Sequence, residues 1–343
     1  MGSLEETYNG KRVLVTGHTG FKGSWLNLWL KKLGAIPETG YALPPPTIPS
    51  HYKLLGGLDF VGTLPDIRNY DMLWRTMERQ KPDVVFHLAA QAIVKRSFDD
   101  PRNTFDSNII GAVNVLEACR QTPSVRAIVM ITSDKVYRDM NWRWGYRESD
   151  ELSGTDPYSA SKVCVEHVIN SYRESFGMNI ATARAGNVIG GGDWGAYRLI
   201  PDIMRAMAEG KPVEIHTPHA TRPYQHALEA LHGYLRLGKA LLEGRGECKT
   251  AFNFGPDGSM SVLEVLEIAQ SVWPKIQYVI KEEETHKGMV NLLKIDSTKA
   301  KQMLGWKPRW TMQEAVERAV VWYRDWYEKG EVNSIKDIED FVK

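Results

Sequence analysis

Residues 13–23 read VLVTGHTGFKG, a short apolar run followed by a glycine-rich turn. The run predicts a buried β-strand, and the spacing after it predicts a helix over 21–33. The three glycines permit a tight turn at Gly17, close approach of backbone N–H groups to a ligand at Gly20, and close helix packing at Gly23. Because N–H groups at a helix N-terminus bind anions, this stretch predicts a dinucleotide pyrophosphate site at the first strand of an α/β fold.

Strand-sized apolar runs alternate with helical patterns through the first half of the chain. The predicted strands are 12–16, 40–43, 58–64, 83–88, 127–132 and 179–184. The predicted helices between them are 21–33, 70–80, 104–121 and 159–175. Strands that alternate with helices form parallel βαβ units, and continuously apolar strands fit a sheet covered on both faces. The fold class is therefore predicted to be α/β, with a Rossmann-type doubly wound parallel sheet.

The pattern changes after the glycine run at 190–192, where short strands mix with helices. The strands are predicted at 213–216 and 251–254, and the helices at 261–272, 297–304 and 312–328. We expect a dinucleotide-binding domain over 8–188 and a smaller α/β substrate lobe over 189–343, with some crossing of the chain between them.

Composition narrows the class of partner. The 343 residues carry 43 Lys and Arg against 42 Asp and Glu, for a net charge of +1. A binder of nucleic acid or of anionic membrane would need a basic excess, so neither is expected. Three widely spaced cysteines form no disulfide framework, and no signal peptide or membrane span is apparent. We expect a cytoplasmic protein.

A second motif, YSASK at 158–162, places a phenol and an ammonium on one helical face. Tyr158 and Lys162 are four residues apart, and the ammonium is expected to lower the pKa of the phenol. A tyrosinate beside a nicotinamide can accept the proton of a carbinol as hydride leaves its carbon. A solvated Tyr–Lys pair is the ordinary alternative. Ser133, at the end of a predicted strand where α/β folds bind ligands, favours the catalytic interpretation.

The expected cofactor is NAD. The end of the second predicted strand, Tyr41-Ala42-Leu43, has no acidic residue for a ribose diol and no Arg for a 2′-phosphate. Asp66 could reach the adenine, although it could equally be an ordinary turn residue. His216 and His219 lack a third spaced ligand, so no metal is expected.

The chain resembles the extended short-chain dehydrogenases/reductases, within them the nucleotide-sugar 4,6-dehydratases, and among these the CDP-glucose 4,6-dehydratases. The resemblance runs from about residue 11 to 326. It is carried by GHTGFKGSWL at 17–26, HLAAQ at 87–91, TSDKVY at 132–137, WGYRE at 144–148, DPYS at 156–159, RAGNVIGGGDW at 184–194, and Arg222-Pro223 with His226.

The resemblance implies dehydration of a CDP-hexose with NAD recycled in place. Tyr158, helped by Lys162 and Ser133, would remove the C4 hydroxyl proton. Asp134 would protonate the departing C6 hydroxyl. Lys135 would be the C5 base, provided that it is buried near Lys162. Open alternatives are a GDP- or dTDP-linked substrate, an epimerase of the same fold, and a non-enzymatic NAD-binding scaffold.

The resemblance also implies binding residues and a homodimer. The expected cofactor contacts are Gly17, His18, Thr19, Gly20, Phe21, Lys22, Gly23, Asp66, Ile67, Leu88, Ala89, Ala90, Asn108, Thr132, Tyr158 and Lys162. The expected substrate contacts are Gln91, Arg96, Ser97, Asn187, Arg198, Leu199, Arg222 and His226. The helices at 104–121 and 159–175 would form a four-helix bundle with those of a second copy.

Overall fold

The computed structural model describes residues 3–57, 66–281 and 293–343. Its strands are β1 Arg12–Thr16, β2 Ile36–Tyr41, β3 Val84–His87, β4 Ala127–Ile131, β5 Ile180–Ala185, β6 Val188–Ile189, β7 Val213–Ile215, β8 Thr221–Arg222, β9 Gln225–His226, β10 Ala251–Phe254, β11 Met260–Ser261 and β12 Tyr278–Ile280. Its helices are α1 Leu4–Tyr8, α2 Phe21–Lys32, α3 His51–Leu54, α4 Tyr70–Gln80, α5 Val94–Asp99, α6 Pro101–Phe105, α7 Gly111–Arg120, α8 Pro157–Phe176, α9 Leu199–Ala208, α10 Ala227–Leu242, α11 Val262–Val272, α12 Thr298–Leu304, α13 Met312–Lys329 and α14 Ser334–Val342.

Six parallel strands form the central sheet, in the order β10-β5-β4-β3-β1-β2. Their side chains alternate between two cores. Val13 and Val15 of β1 face one apolar cluster, whereas Leu14 faces the other. Helices cover both faces, which confirms the predicted α/β class with its doubly wound parallel sheet.

Most predicted elements lie where the sequence pattern placed them, and two differ in position. The second strand runs over Ile36–Tyr41 rather than 40–43, because Arg12 pairs with Ile36 directly after the α2 turn. The polar sequence PETG hid this strand from a hydrophobic pattern. The predicted helix 104–121 is continuous from Pro101, with a π-helical turn over Asp106–Ile110. The predicted strand 58–64 lies outside the described residues.

Helix α10 lies against the sheet and was absent from the predicted elements. It packs on β4, β5 and β10. Two glycines allow this close approach: an added Cβ would lie 2.3 Å from Phe254 at Gly233 and 2.5 Å from the Tyr8 hydroxyl at Gly238. Within the described ranges, no helix combines the length and the apolar character needed to span a bilayer.

Candidate active site

The glycine-rich turn between β1 and α2 has the geometry of an anion cradle. Gly17 has φ +75° and donates its N–H to the Tyr41 carbonyl at 2.9 Å. A Cβ at Gly23 would lie 2.2 Å from the Gly17 carbonyl oxygen, so only glycine fits there. No side chain caps the first turn of α2 at Gly20, which leaves its N–H groups available to a phosphate. The residues present therefore fit a dinucleotide pyrophosphate.

A cavity of about 460 Å³ opens from this turn along the carboxyl edge of the sheet. Of the predicted cofactor residues, the structure brings to it Gly17, Thr19, Gly20, Phe21, Lys22, Gly23, Asp66, Ile67, Leu88, Ala89 and Ala90. Of the predicted substrate residues, it brings Gln91, Arg96 and Arg198. The cavity has the size of a ligand site. The glycine-rich turn, Asp66 and Arg198 therefore line one cavity.

Three predicted cofactor residues are engaged elsewhere. His18 is buried, with its ring against Tyr52. Thr132 donates its hydroxyl to Glu166 Oε1 at 2.6 Å. Asn108 exchanges hydrogen bonds with the backbone of Gln91 at 2.8 and 3.1 Å, so it shapes the loop that lines the cavity.

The predicted catalytic side chains lie together at the ends of β4 and α8. Ser133, Asp134, Tyr158 and Lys162 are all buried. The Ser133 hydroxyl donates to Asp134 Oδ1 at 3.1 Å and is also a hydrogen-bond partner of the Tyr158 phenol. Lys162 Nζ donates to the Ile131 carbonyl at 3.2 Å. The motif residues separated by about 25 positions therefore converge on one site.

The electrostatics of this cluster differ from the sequence-based expectation. Burial raises the pKa of Tyr158 to about 12, against a smaller lowering by its hydrogen bond with Ser133. Burial also lowers the pKa of Lys162 to about 8, although Glu166 opposes it. The expected lowering by Lys162 does not prevail, because its ammonium is held at the Ile131 carbonyl and desolvation of the phenol dominates.

Asp134 is a buried carboxyl with one oxygen still available. Burial raises its pKa, against the lowering effects of Lys135, Ser133 and Arg222. Within the described residues, its Oδ2 has no hydrogen-bond partner. A carboxyl of this kind retains its proton to higher pH, as a general acid must.

Lys135 points outward, so the burial expected for it is not found. The chain turns at this point: Lys135 donates its backbone N–H to the Ser133 hydroxyl, and this short 3₁₀ turn directs Asp134 inward and Lys135 to the surface. Spacing along the chain could not show this, because adjacent residues in a turn diverge.

The remaining predicted substrate residues have mixed positions. Ser97 is fully buried and accepts the Tyr158 backbone N–H at 3.2 Å, so it supports the tyrosine from behind. His226 is also fully buried, at the start of α10, with its ring against Trp25 and Trp310. The structure therefore does not bring His226 to the cavity. Leu199, at the start of α9, packs on the core.

Arg222 and Asn187 are not among the residues that line the cavity, and Arg222 lies near the catalytic cluster. Arg222 is near enough to Asp134 to lower its pKa, and its Nη1 donates to the Thr221 carbonyl at 2.7 Å. Asn187 is half-buried, and its carbonyl accepts the Gln225 N–H at 3.0 Å. Asp193, which the sequence analysis missed, holds Arg198 at 2.8 Å. Its place in the GGGDW run was the available signal.

The segment after β2 is a further wall that the sequence analysis missed. The residues of this segment that line the cavity, together with Gly192 and Trp194, are Leu43, Pro44, Pro46, Thr47, Ser50 and His51. The triple proline was the available signal, since such a run stiffens a loop between two elements.

A family model described as GDP-mannose 4,6 dehydratase matches residues 14–319. The chain belongs to this family. A CDP-glucose 4,6-dehydratase of Salmonella typhimurium is 41% identical, over 98% of this chain and 97% of that protein. The family fold is shared with epimerases. A UDP-glucose 4-epimerase of Thermus thermophilus, solved with NAD, has TM-score 0.78 and 25% identity over 91% of this chain and 99% of its own. A dTDP-glucose 4,6-dehydratase of Streptomyces venezuelae, solved with NAD bound, has TM-score 0.77 and 22% identity over 93% and 98%.

Proposed function

We propose that this protein dehydrates CDP-glucose to CDP-4-keto-6-deoxyglucose and water, with NAD recycled within the site. Support comes from the similarity to the Salmonella enzyme over nearly the whole chain and from the four predicted catalytic side chains that meet in one buried cluster. When bound, NAD accepts a hydride from C4 and returns it to C6. The glycine turn would hold its pyrophosphate, and Asp66 would face its adenine.

The chain's own residues supply the proton transfers. Tyr158, hydrogen-bonded to Ser133, would act as the phenolate and take the C4 hydroxyl proton as C4–H leaves as hydride, which gives a C4 ketone. Because burial raises the pKa of this phenol, its ionisation has to precede the step. The ketone acidifies C5–H. Loss of that proton and of the C6 hydroxyl, protonated by Asp134, releases water. The C5 base would then give its proton back to C5 as C6 is reduced. We propose Lys135 as the C5 base; because its side chain is exposed, the bound sugar has to cover it.

Asp134 is the residue whose position and environment favour a dehydratase over an epimerase. An epimerase oxidises and reduces C4 and needs no acid at the C6 hydroxyl. Here a buried carboxyl with raised pKa and one oxygen without a described partner lies beside the Tyr158–Ser133 pair. Such a group is suited to donate a proton to a leaving hydroxyl.

The test is incubation with NAD and CDP-glucose in deuterated water. We expect a 4-keto-6-deoxy product with deuterium at C5. Asp134→Asn should abolish elimination yet retain C4 oxidation, seen as a single turnover of reduced nicotinamide. Asp257→Asn, on an exposed ion pair with Lys301, is the matched control. Formation of CDP-galactose instead would establish an epimerase. A product only from GDP- or dTDP-glucose would overturn the CDP assignment.

We also propose a homodimer. Large apolar side chains remain exposed on the predicted bundle helix 104–121, where Phe105 is 37% exposed and Ile110 47%. Phe98, on the preceding helix α5, is 63% exposed. Such side chains along one layer favour burial by a second copy. Phe105→Glu should give monomers by sedimentation velocity, whereas Ile335→Glu on α14 should not. A monomeric parent protein would overturn this.

We also propose a cytoplasmic location. We further propose that the chain divides at residue 189 into two parts. The division assigns NAD to the first part and the sugar nucleotide to the second, with β10 returning to the sheet.

A further inference from the structure

A buried chain of hydrogen bonds, centred on His51, lies behind the cofactor cavity. Ser24 donates its hydroxyl to the Phe21 carbonyl at 2.9 Å, and its oxygen lies 2.8 Å from His51 Nδ1. On the other side of the ring, His51 Nε2 lies 2.7 Å from Ser334 Oγ. Trp322 Nε1 donates to the same Ser334 oxygen at 2.9 Å. The chain therefore links the first turn of α2 to the start of α14.

The proton positions in this chain follow from counting donors. With the Ser24 hydroxyl proton on the Phe21 carbonyl, counting the donors assigns the proton shared with Ser24 to His51 Nδ1. His51 Nε2 is then an acceptor, and the Ser334 hydroxyl donates its hydrogen bond to it. Burial lowers the pKa of His51 to about 3, which keeps the ring neutral. Every hydrogen bond of the chain is therefore donated in the same direction, from the Trp322 indole towards the Phe21 carbonyl.

The ring is also fixed by packing. Trp25 stacks on His51 with ring centroids 4.7 Å apart, and Trp25 Nε1 donates to the Gly191 carbonyl at 2.9 Å. A Cβ at Gly192 would lie 2.6 Å from that of His51. Phe21, His51 and Gly192 all line the cavity. His51 contacts Gly192 directly and is joined to the Phe21 carbonyl through Ser24.

Helix α14 packs along α2, which begins at the phosphate turn. Trp29 meets Phe341 edge-on at 5.5 Å, and Lys32 pairs with Glu339 at 2.8 Å. Ser334, at the start of α14, is fully buried. The C-terminal helix thus braces α2 over its length and reaches the first turn through His51.

We propose that His51 is a positioning residue for the dinucleotide site, and that Ser334 makes the C-terminal helix part of the structure that holds the phosphate turn. The proposal rests on the proposed function, in that NAD is the ligand. His51 acts through Ser24 and Gly192, and touches no reacting atom. A loosened ring would release the first turn of α2 and move into the space that the cofactor needs.

The experiment measures NAD binding to the full-length protein by calorimetry, without sugar nucleotide. Ser334→Ala and Ser24→Ala each remove one of the two serine hydroxyls that form hydrogen bonds with the His51 ring. Loss of one buried hydrogen bond corresponds to about a tenfold rise in the Kd for NAD. We expect that rise in both variants, with a much smaller fall in kcat at saturating NAD. Ser271→Ala is the matched control, because among the described residues its hydroxyl bonds only the Ile268 carbonyl of its own helix.

The double variant separates positioning from general destabilisation. If both serines act through one ring, the rise in Kd for the pair is smaller than the product of the single rises. A lower Tm with an unchanged Kd, or two fully additive effects, would overturn the proposal. Failure of the parent protein to bind NAD would instead overturn the proposed function, so the two failures are distinguishable.

Discussion

A single hydroxyl, that of Ser97, supports Tyr158, the proposed catalytic tyrosine. It donates to the Val94 carbonyl at 2.6 Å and accepts the Tyr158 N–H at 3.2 Å. That N–H is at the start of α8, where no helical carbonyl is available to it. The serine therefore fixes the backbone from which the phenol extends.

Ser97→Ala is expected to lower kcat about tenfold, because a buried N–H loses its acceptor and the phenol loses its exact placement. The KM for the sugar nucleotide should stay nearly constant. Steady-state kinetics check this, with Ser124→Ala as control, since its hydroxyl bonds the distant Pro82 carbonyl. A rise in KM with unchanged kcat would show that Ser97 contacts the sugar instead.

The candidate catalytic residues were accessible to sequence reasoning where a motif fixes backbone geometry. Tyr158 and Lys162 share a helical face, and Ser133 ends a strand, so periodicity alone places them. Lys135 and His226 were not accessible in this way. Lys135 is exposed because of a local turn, and His226 is buried by aromatic neighbours that are distant in sequence.

Helix α10 shows how an element is fixed by what it packs against. Gly233 faces the Phe254 ring, and Gly238 faces Tyr8 and Phe86. Glycine in a helix costs about 1 kcal/mol relative to alanine. The close packing that it permits outweighs that cost, since α10 is buried along most of its length.

Gly233→Ala should lower the free energy of unfolding by about 2 kcal/mol, because overpacking of up to about 3 kcal/mol exceeds the propensity gain of about 1. Urea unfolding measures it. Gly246→Ala is the control, since an added Cβ there meets nothing within 4 Å. A stabilised Gly233→Ala would mean that α10 can move away from the sheet.

Elements with a strong apolar period were predictable, including β1, β4, β10 and α4. Strand β2 was not, because its parallel pairing with β1 compensates for a polar sequence. Helix α10 was not either. An almost wholly buried helix lacks the polar face on which an amphipathic pattern depends.

At the scale of the whole molecule, buried histidines set the response to acid. Burial lowers the pKa to about 4 for His18 and to about 3 for His51, His87, His226 and His232. A group with a lowered pKa in the fold binds its proton only on unfolding, so stability is lost as pH falls below about 6.5. Burial raises the pKa of Glu229 and of Asp337 to about 7, which acts in the opposite direction. It also raises that of Asp134.

The five histidines outnumber the two carboxyls whose pKa is raised to about 7, so the histidines determine the sign of the pH dependence. The free energy of unfolding should therefore fall as the pH drops below about 6.5, by about 1.4 kcal/mol per pH unit for each net proton taken up on unfolding. Urea unfolding at about pH 7.5 and 5.5 checks this. Glu229→Gln removes one opposing group and should steepen the dependence. A flat profile in the parent protein would contradict the assignment.

The return of β10 to the sheet has a consequence for synthesis. Strand β5 is an internal strand of the finished sheet, but its outer partner begins only at Ala251, roughly 65 residues after β5 ends. At about 5–20 residues per second, β5 emerges roughly 3 to 13 seconds before β10. During that interval its unpaired backbone is an open edge, prone to pair with another chain. The nascent protein is thus most vulnerable to aggregation while residues 186–250 are being translated, and truncation before Ala251 should leave that edge permanently exposed.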